Sequence, residues 1–309
     1  MSARASKSRR EKPVELPADV RLTHPDRVIY REQGITKRDL ALYYARVAEW
    51  ILPHVAERPL SLVRCPEGVD HECFYQKHPP QGLPDSVTRI EVEESSGPDT
   101  YLVVHDLAGL LALIQFGALE LHVWGARADK IERSDRLVFD FDPDASVPWK
   151  QVIAAALEMR ELLAQLELTS FVKTTGGKGL HIVVPIDRRH DWKTVKSFCR
   201  AVATTLTQLR PDRYIATASK AARRGKIFVD YLRNDRGATA VAPYSTRARQ
   251  GAPISWPLSW RELEQLAGPA TITVQNVSEF LAGRRDPWRE LPQIEQRLSA
   301  KILKLLKAV

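Results

Sequence analysis

The sequence predicts an α/β (α+β) fold, because two kinds of apolar pattern alternate along the chain. Strand-length apolar runs occur at 60–63, 101–104 and 119–123, and again around Asp140 and Asp230. Helical patterns with an apolar period of 3.6 residues begin at Lys37 and span 107–116, 149–166, 192–209 and 294–306. Strands interleaved with helices are typical of mixed folds.

Three of these helices carry specific signals. Thr36 precedes the first as its N-cap, and Asp39 completes a capping-box-like pattern. Asp106 caps the helix at 107–116, and Gly117 ends it. The predicted buried face of the first helix consists of Leu40, Tyr44, Val47 and Ile51. That of the helix at 149–166 consists of Val152, Ala156, Met159 and Leu163.

The run LVFDFDPD at 137–144 is an apolar strand interrupted by acids. Because alternate side chains of a strand point to opposite faces, Asp140 and Asp142 share one face, and Phe139 and Phe141 share the other. Two carboxylates so close raise each other's pKa unless a cation lies between them. Their place on a buried strand therefore indicates a divalent metal ion.

A third acid, Asp230, lies alone in the apolar run KIFVDYLRN at 226–234. Three hard oxygen ligands with open positions suit magnesium or manganese ions that also hold a nucleoside triphosphate. A structural reading stays open for each acid taken alone. Asp142 belongs to the turn-forming sequence Asp142-Pro143-Asp144, and a lone strand acid such as Asp230 often forms a salt bridge.

The segment SFVKTTGGKGLHIVVPI at 170–186 is typical of a strand, a glycine turn and a second strand. Its glycines allow backbone amides to approach an anion, and Thr174, Thr175 and Lys178 add donors beside them. This predicts a phosphate cradle, although the spacing is not that of a Walker loop. His181 begins the second strand, where an imidazole can donate to a phosphate; a structural histidine is the alternative.

Four of these segments, LVFDFDPD, TTGGKGLHIVVP, KIFVDYLRN and VAPYSTRARQG, occur in an order and at separations that resemble a known family. It is the polymerase domain of bacterial ATP-dependent DNA ligase D, in the archaeo-eukaryotic primase superfamily. The resemblance extends from Arg21 to about Trp288. It implies a primase-like catalytic core with mostly antiparallel sheets, flanked by helices, that meet around a metal site.

The resemblance also assigns roles at the catalytic centre. Asp140 and Asp142 would bind two divalent ions, Mn²⁺ or Mg²⁺, and Asp230 would complete the site that activates a primer 3′-hydroxyl. The residues that would contact the incoming nucleoside triphosphate are Thr175, Lys178, His181, Arg233, Arg247 and Arg249. The family more often has serine at the position of Thr175. Arginine suits this task because its planar fork binds phosphate oxygens in pairs; a solvated surface charge is the alternative for each.

Other positions match the family's contacts with DNA. Arg27 and Lys37 correspond to its pocket for the 5′-phosphate of a gap or broken end, although a solvated lysine is an alternative for Lys37. Phe74 and Tyr75 match an aromatic pair that stacks on template bases. By strand alternation alone, one of this pair would point into the core. Arg223 matches a loop arginine that positions the template.

The implied activity is template-dependent nucleotide addition at double-strand breaks during non-homologous end joining, with a preference for ribonucleotides and with Ku and a DNA ligase as partners. Two alternatives remain: a primase that starts strands de novo, and a catalytically idle module that binds DNA ends. The three aspartates and His181 argue against the idle module. We expect one primase-polymerase domain at 18–309: a DNA-end-binding part at 18–130, a catalytic core at 131–255 and a C-terminal wrap at 256–309.

Composition agrees with a nucleic-acid partner. The 309-residue chain is 44% hydrophobic, which suffices for a large core, and its formal net charge of +8 favours a polyanion. The basic segment 1–17 is expected to be a disordered tail.

The three cysteines, Cys65, Cys73 and Cys199, lack CxxC spacing, so we expect reduced thiols in a cytoplasmic, nucleoid-associated protein. No apolar run approaches membrane-spanning length.

Overall fold

The computed structural model of the chain describes residues 14–219 and 221–305. Its strands are β1 (Val14–Glu15), β2 (Arg21–Leu22), β3 (Val28–Tyr30), β4 (Ile35–Thr36), β5 (Leu60–Arg64), β6 (Phe74–Gln76), β7 (Val87–Glu94), β8 (Gly97–Val104), β9 (Ala118–Trp124), β10 (Arg136–Pro143), β11 (Phe171–Thr174), β12 (Leu180–Pro185), β13 (Tyr214–Ile215), β14 (Ile227–Asp230), β15 (Thr239–Val241) and β16 (Pro257–Leu258). Its α-helices are α1 (Lys37–Arg46), α2 (Ala48–Val55), α3 (Leu107–Gln115), α4 (Trp149–Gln165), α5 (Trp192–Leu209), α6 (Trp260–Gln265), α7 (Val277–Leu281) and α8 (Ala300–Leu305).

Two six-stranded sheets form the body of the protein. The first has the order β13-β14-β10-β12-β11-β16, and all its pairs are antiparallel except β13 with β14. The second has the order β15-β9-β5-β8-β7, with β6 also paired to β5. The predicted mixed fold with mostly antiparallel sheets is confirmed.

Strand β10 lies in the middle of the first sheet, between β12 and β14. Phe139 and Phe141 are fully buried in the main hydrophobic core, which includes residues of α4 and α5. Asp140 and Asp142 alternate with them and are only partly buried. The strand therefore packs one face into the core and presents its acids on the other.

The helix signals are confirmed, with one difference. Thr36 and Asp39 form a capping box, and Asp106 accepts a hydrogen bond from the backbone N–H of Gly109 at the start of α3. The predicted core residues of α4 are all buried. The first helix, however, is interrupted at Val47, whose φ and ψ are −95° and 8°, so α2 starts anew at Ala48.

The last helix is shorter than predicted and begins at Ala300 rather than at 294. The carbonyl of Gln296 accepts a hydrogen bond from the backbone N–H of Asp187, and its side-chain amide donates to the carbonyls of Thr169 and Pro185. These contacts hold the preceding chain against the ends of β11 and β12 instead of leaving it free to coil. Residue 306, the predicted end, lies outside the described residues.

The expectation of three reduced thiols is wrong for two of them. Cys65 and Cys73 form a disulfide, whereas Cys199 is free and buried. The cause is the antiparallel pairing of β5 with β6, which places Arg64 opposite Phe74. Cys65, which follows Arg64, therefore meets Cys73, which precedes Phe74. Strand pairing of this kind is not visible in cysteine spacing.

The predicted disordered tail, 1–17, lies mostly outside the described residues. Its end is structured: Val14–Glu15 pairs with Arg21–Leu22, and Leu16 is buried. Among the described helices, none is both long enough and apolar enough to cross a membrane.

Candidate active site

Four ionisable residues form a row across the first sheet. Asp140 of β10 is the register partner of Asp230 on one side and of His181 on the other, and His181 is in turn the partner of Lys173. Directly paired residues of an antiparallel sheet share a face. Strand pairing alone therefore assembles two carboxylates, an imidazole and an ammonium group from residues that lie far apart in sequence, between positions 140 and 230.

The electrostatics of this row depend on burial. His181 is 3% exposed, and burial, together with Lys173, lowers its pKa to about 4, so the imidazole is neutral at pH 7. Burial raises the pKa of Asp140, but His181 and Arg233 outweigh it and lower that pKa to about 2. Burial raises the pKa of Asp230. His181 Nε2 lies 3.4 Å from Asp140 Oδ1.

Basic side chains contact all three acids. Lys178 Nζ lies 3.0 Å from Asp142 Oδ1, and an Arg223 nitrogen lies 3.2 Å from Asp142 Oδ2. Arg233 Nε lies 3.3 Å from Asp140 Oδ2 and 3.4 Å from Asp230 Oδ2. The turn role that the sequence allowed for Asp142 belongs instead to Asp144, which accepts the turn hydrogen bonds of Ser146.

The glycine turn joins β11 to β12 beside these acids. The Thr175 hydroxyl accepts a hydrogen bond from the Gly177 N–H at 3.2 Å, and Gly176 has a φ of +64°. A Cβ on Gly179 would lie 2.0 Å from the carbonyl oxygen of Phe141. Only glycine allows this approach, which holds the turn directly against β10.

Arg247 is held by Thr175 and by Glu120, and the sequence patterns did not single out Glu120. Its Nε lies 3.0 Å from Glu120 on β9, and one terminal nitrogen donates to the carbonyl of Thr175. Glu120 also accepts hydrogen bonds from His122 at 2.8 Å and from the Ala248 N–H at 2.9 Å. An isolated acid and histidine in the apolar strand β9 give no signal in sequence. The same is true of Lys173, which is buried and donates to Ser255 at 2.6 Å.

One cavity of about 330 Å³ brings together all the residues predicted for metal and nucleotide, and it takes walls from both large sheets. The lining residues that the sequence had predicted as site residues are Asp140, Asp142, Thr175, Lys178, His181, Arg223, Asp230, Arg233, Arg247 and Arg249. His122 of β9 and the residues of β15 close its other side. Arg223 also packs its guanidinium over the Phe228 ring at 3.7 Å.

In the described part of the chain, no group of three or more His, Cys, Asp or Glu side chains is close enough to hold a metal ion. The donor set nevertheless fits one. Asp140 and Asp230 are paired in register, Asp142 lies on the same face, and carboxylate oxygens are the ligands that Mg²⁺ and Mn²⁺ prefer. In this structure, the side chains of Lys178, Arg223 and Arg233 neutralise these acids.

Arg27 and Lys37 lie in a second cavity, of about 290 Å³. Arg64 lines it too, as do His24 and Gln115, and no carboxylate is among its described lining residues. Lys37 donates to the carbonyl of Thr23 and to Gln115, each at 3.0 Å. Burial, with a smaller contribution from Arg27, lowers the pKa of Lys37 to about 8. Such an uncompensated cationic pocket favours an anion.

Phe74 and Tyr75 connect the two cavities. The Arg64 guanidinium lies 5.2 Å from the centre of the Phe74 ring, whereas the Tyr75 hydroxyl is 2.8 Å from Thr239 of the first cavity. The rings of Tyr75 and His122 are also in edge contact. Neither aromatic points into the core: Phe74 is 42% exposed and Tyr75 is 50% exposed. The expectation of one buried ring is wrong because β6 is a short strand paired only with β5.

Known proteins resemble this chain over most of its length. Residues 36–288 match the family model described as LigD, primase-polymerase domain. The multifunctional non-homologous end joining protein LigD of Pseudomonas aeruginosa is 40% identical over 94% of this chain. The bifunctional LigD of Bacillus subtilis is 29% identical over 97% of it. The matches cover 35% and 48% of these two relatives, so the chain spans between a third and half of their length.

A solved structure extends the likeness to the fold. The polymerase domain from Mycobacterium tuberculosis ligase D, in complex with DNA, is 34% identical and superposes with a TM-score of 0.83. The likeness covers 89% of this chain and 98% of that one. On the family match, the identity and the shared fold, this chain belongs to the LigD primase-polymerase domain family.

Proposed function

We propose that the chain is a template-dependent nucleotidyltransferase that adds nucleotides to a primer 3′ end at gaps and broken ends of DNA. The observation that carries this proposal is the assembly of one cavity from three carboxylates, a glycine turn and several arginines. Negative ligands for hard cations therefore lie beside donors for phosphate oxygens. This combination suits phosphoryl transfer from a nucleoside triphosphate.

The nucleotide would lie against the cationic side of the cavity. Thr175, Lys178 and the backbone amides of the glycine turn would bind triphosphate oxygens, together with Arg247 and Arg249, which lie against the same turn. Glu120 fixes the orientation of Arg247 before substrate arrives. Neutral His181 can donate a hydrogen bond to a phosphate oxygen without adding a charge beside Asp140.

The acids would hold the reacting groups. Asp140 and Asp142 would bind two divalent ions, and Asp230 would complete the site nearer the primer. When bound, such ions activate the hydroxyl and neutralise charge that develops on the phosphates. The primer 3′ hydroxyl would lose its proton to solvent, and its oxygen would bond to the α-phosphorus as the bond to the pyrophosphate leaving oxygen breaks. Lys178, Arg223 and Arg233 would exchange their carboxylate contacts for substrate phosphates as the site fills.

The second cavity would bind the 5′-phosphate on the far side of a gap. Arg27 and Lys37 supply its charge, and Phe74 with Tyr75 would stack on the template between this phosphate and the active site. Arg223 would steady the template beside the incoming nucleotide. This spacing of phosphate pocket, aromatic pair and active cavity favours gap filling over priming without a 5′ end.

We further propose that the reaction serves bacterial non-homologous end joining, with Ku and a DNA ligase module as partners and a preference for ribonucleotides. Support comes from relatives whose names describe end-joining proteins of greater length than this chain. Its place of action would be the bacterial cytoplasm, at the nucleoid.

The test is extension of a labelled primer on a gapped duplex with or without a downstream 5′-phosphate. Manganese and magnesium are compared, as are ribonucleotides and deoxyribonucleotides. We expect templated addition that requires Asp140 and increases with the 5′-phosphate. Asp140→Ala should abolish extension while DNA binding, measured by fluorescence anisotropy, stays within threefold of wild type. Extension that survives Asp140→Ala would refute the assigned site, and DNA binding without extension under either metal would indicate an end-binding module.

A further inference from the structure

A third and larger cavity, of about 860 Å³, lies at the other end of the first sheet. It is built where β10 begins and β12 ends, with additional walls from the end of α2 and from residues 291–297. None of the site residues predicted from the sequence is among its lining residues. Its size is in the range of small-molecule sites in proteins.

Three arginines in this cavity share a single carboxylate. Arg58 contacts both oxygens of Asp135, at 2.8 and 2.5 Å. Arg136 and Arg127 approach the same carboxylate at 3.3 and 3.5 Å. One carboxylate compensates one guanidinium, so this cluster carries an excess of two positive charges. We call Arg58, Arg127, Asp135 and Arg136 the arginine cluster.

The remaining acids of the cavity do not offset this excess, because they are paired elsewhere or lie in solvent. Asp129 pairs with Arg188 and Asp187 pairs with Arg189. The half-exposed side chain of Glu57 contacts His105 rather than an arginine of the cluster. At the rim, the charges of the exposed residues 295 and 297, a glutamate and an arginine, cancel.

Two of the three guanidinium groups are buried, which makes the excess charge costly. Arg58 is 1% exposed and Arg136 is 6% exposed. Within the described chain, the Nε of Arg58 is buried and has no hydrogen-bond acceptor. Burial and the neighbouring Arg58 lower the pKa of Arg136 to about 9. A buried guanidinium that lacks a counterion is strongly destabilising, whereas an anion from solvent would compensate it.

The arginine cluster is separate from the active site although both lie on one face of the sheet. Arg136 precedes Asp140 by four residues on β10, which corresponds to roughly 13 Å along a strand. Val138 lies between them and is buried with Val183, Trp288 and Leu291. This apolar layer prevents one phosphate from contacting both sites.

We propose that this cavity is a second anion site, which binds the phosphate group of a nucleotide through the arginine cluster. The planar forks of Arg127 and Arg136 suit phosphate oxygens, whereas Arg58 is engaged by Asp135, and the apolar wall of the cavity suits a nucleobase. That wall is formed by Pro185, Ile186, Leu291 and Pro292. The phosphate can come from a free nucleotide or from a nucleic-acid strand, and the chemistry of recognition is the same for both.

The test measures binding directly, and therefore it does not depend on polymerase activity. Hydrogen–deuterium exchange of the full chain is followed in EDTA with two separate probes, uridine 5′-monophosphate and a single-stranded octathymidylate without terminal phosphates. We expect slower exchange at 126–136 and 185–189 with at least one probe. Protection by the monophosphate identifies free nucleotide as a sufficient source, and protection by the octamer alone identifies a nucleic-acid strand.

Variants assign the protection to the arginine cluster. Arg127 is 40% exposed and its removal should leave the fold intact. Arg127→Gln should raise the half-saturating probe concentration at least tenfold, Arg127→Lys should restore part of the loss, and the matched charge change Arg261→Gln on exposed α6 should have no effect. Matched thermal melting curves check that each variant folds. Arg188→Gln changes another part of the cavity wall and provides a second variant. Two outcomes would overturn the proposal. One is the absence of protection with both probes at 20 mM, roughly the weakest binding of interest. The other is protection that is unchanged in Arg127→Gln.

Discussion

Asp140 and Asp230 lie directly opposite each other on β10 and β14, and one guanidinium, that of Arg233, contacts both carboxylates at 3.3 and 3.4 Å. Like charges directly opposite on a sheet are destabilising. Without bound cations, a single side chain therefore offsets two acids. Two carboxylates at this point would favour metal binding, but their mutual repulsion destabilises the folded protein.

Asp230→Asn should separate these requirements. The amide keeps the oxygen that accepts the Leu232 N–H at 2.7 Å, but it removes the repulsion from Asp140. Because burial raises the pKa of Asp230, ionisation weakens the folded state as pH rises through the range of that pKa. At pH 7 and without metal, we expect the variant to gain up to about 1 kcal/mol. This corresponds to a rise in Tm of roughly 2 °C by calorimetry.

Extension by Asp230→Asn should fall by on the order of 10³-fold, since the proposed metal ligand, which would supply several kcal/mol, is lost. Asp144→Asn is the matched control, because Asp144 lies on the adjacent exposed turn and should leave extension unchanged. A variant that lost stability but kept activity would contradict both parts of this prediction.

The response to a downstream 5′-phosphate should depend on pH through Lys37. Burial lowers the pKa of Lys37 to about 8, so its amino group is positively charged below this pH and loses the charge above it. Bound phosphate favours the charged form, so the stimulation of gap filling should fall about tenfold between pH 7 and 9.5, through a midpoint above 8. Extension rates with and without the phosphate measure it. Lys37→Arg should keep its stimulation at high pH, and a parallel decline in that variant would show that another group titrates.

Gly179→Ala should disrupt the glycine turn. The new Cβ would lie 2.0 Å from the Phe141 carbonyl oxygen, and a backbone atom cannot yield without moving β10. We expect a loss of about 1–3 kcal/mol in unfolding free energy, typical of overpacking. Displacement of the acids by about 1 Å should lower extension on the order of 10²-fold. Urea denaturation and primer extension measure the two effects. Gly268→Ala, where the nearest heavy atom is 3.6 Å away, should change neither.

Glu120→Gln should weaken nucleotide binding more than turnover. Glu120 is 5% exposed, and His122 and Arg247 lower its pKa to about 2 although burial raises it, so it is an anion in the folded protein. The amide keeps the shape but loses the charge that orients Arg247. We expect KM for the nucleotide to rise about tenfold with kcat within threefold, consistent with about 1.5 kcal/mol for a charged hydrogen bond. Steady-state extension at varied nucleotide concentration tests this, with exposed Glu161→Gln as control.

Local signals in the sequence predicted much of the fold. The capping box at Thr36, the cap at Asp106 and the stripe on α4 depend on neighbours within one or two helical turns. Alternation on β10 likewise predicted that Asp140 and Asp142 share a face, because the period of a strand is fixed by its backbone. The final helix was predicted too long because tertiary hydrogen bonds of Gln296, which a local pattern cannot contain, compete with helix formation.

Strand pairing determined what sequence could not show. The pairing of β11 with β12 brings Lys173 beside His181, and β9 of the second sheet places His122 in the wall of the active cavity and Glu120 against Arg247. Register between strands distant in sequence depends on packing of the whole sheet, so the partners of Lys173, Glu120 and His122 have no local signal. The same limit applies to the disulfide between Cys65 and Cys73.

The position of Asp140 in the middle of a six-stranded sheet also bears on how such a domain can change during evolution. The acids are fixed by backbone pairing on both sides, whereas Lys178, Arg223 and Arg249 come from connecting segments. Loops tolerate insertion and substitution far better than central strands. New preferences for sugar, template or end structure can therefore arise by exchange of loops while the reaction chemistry is inherited intact.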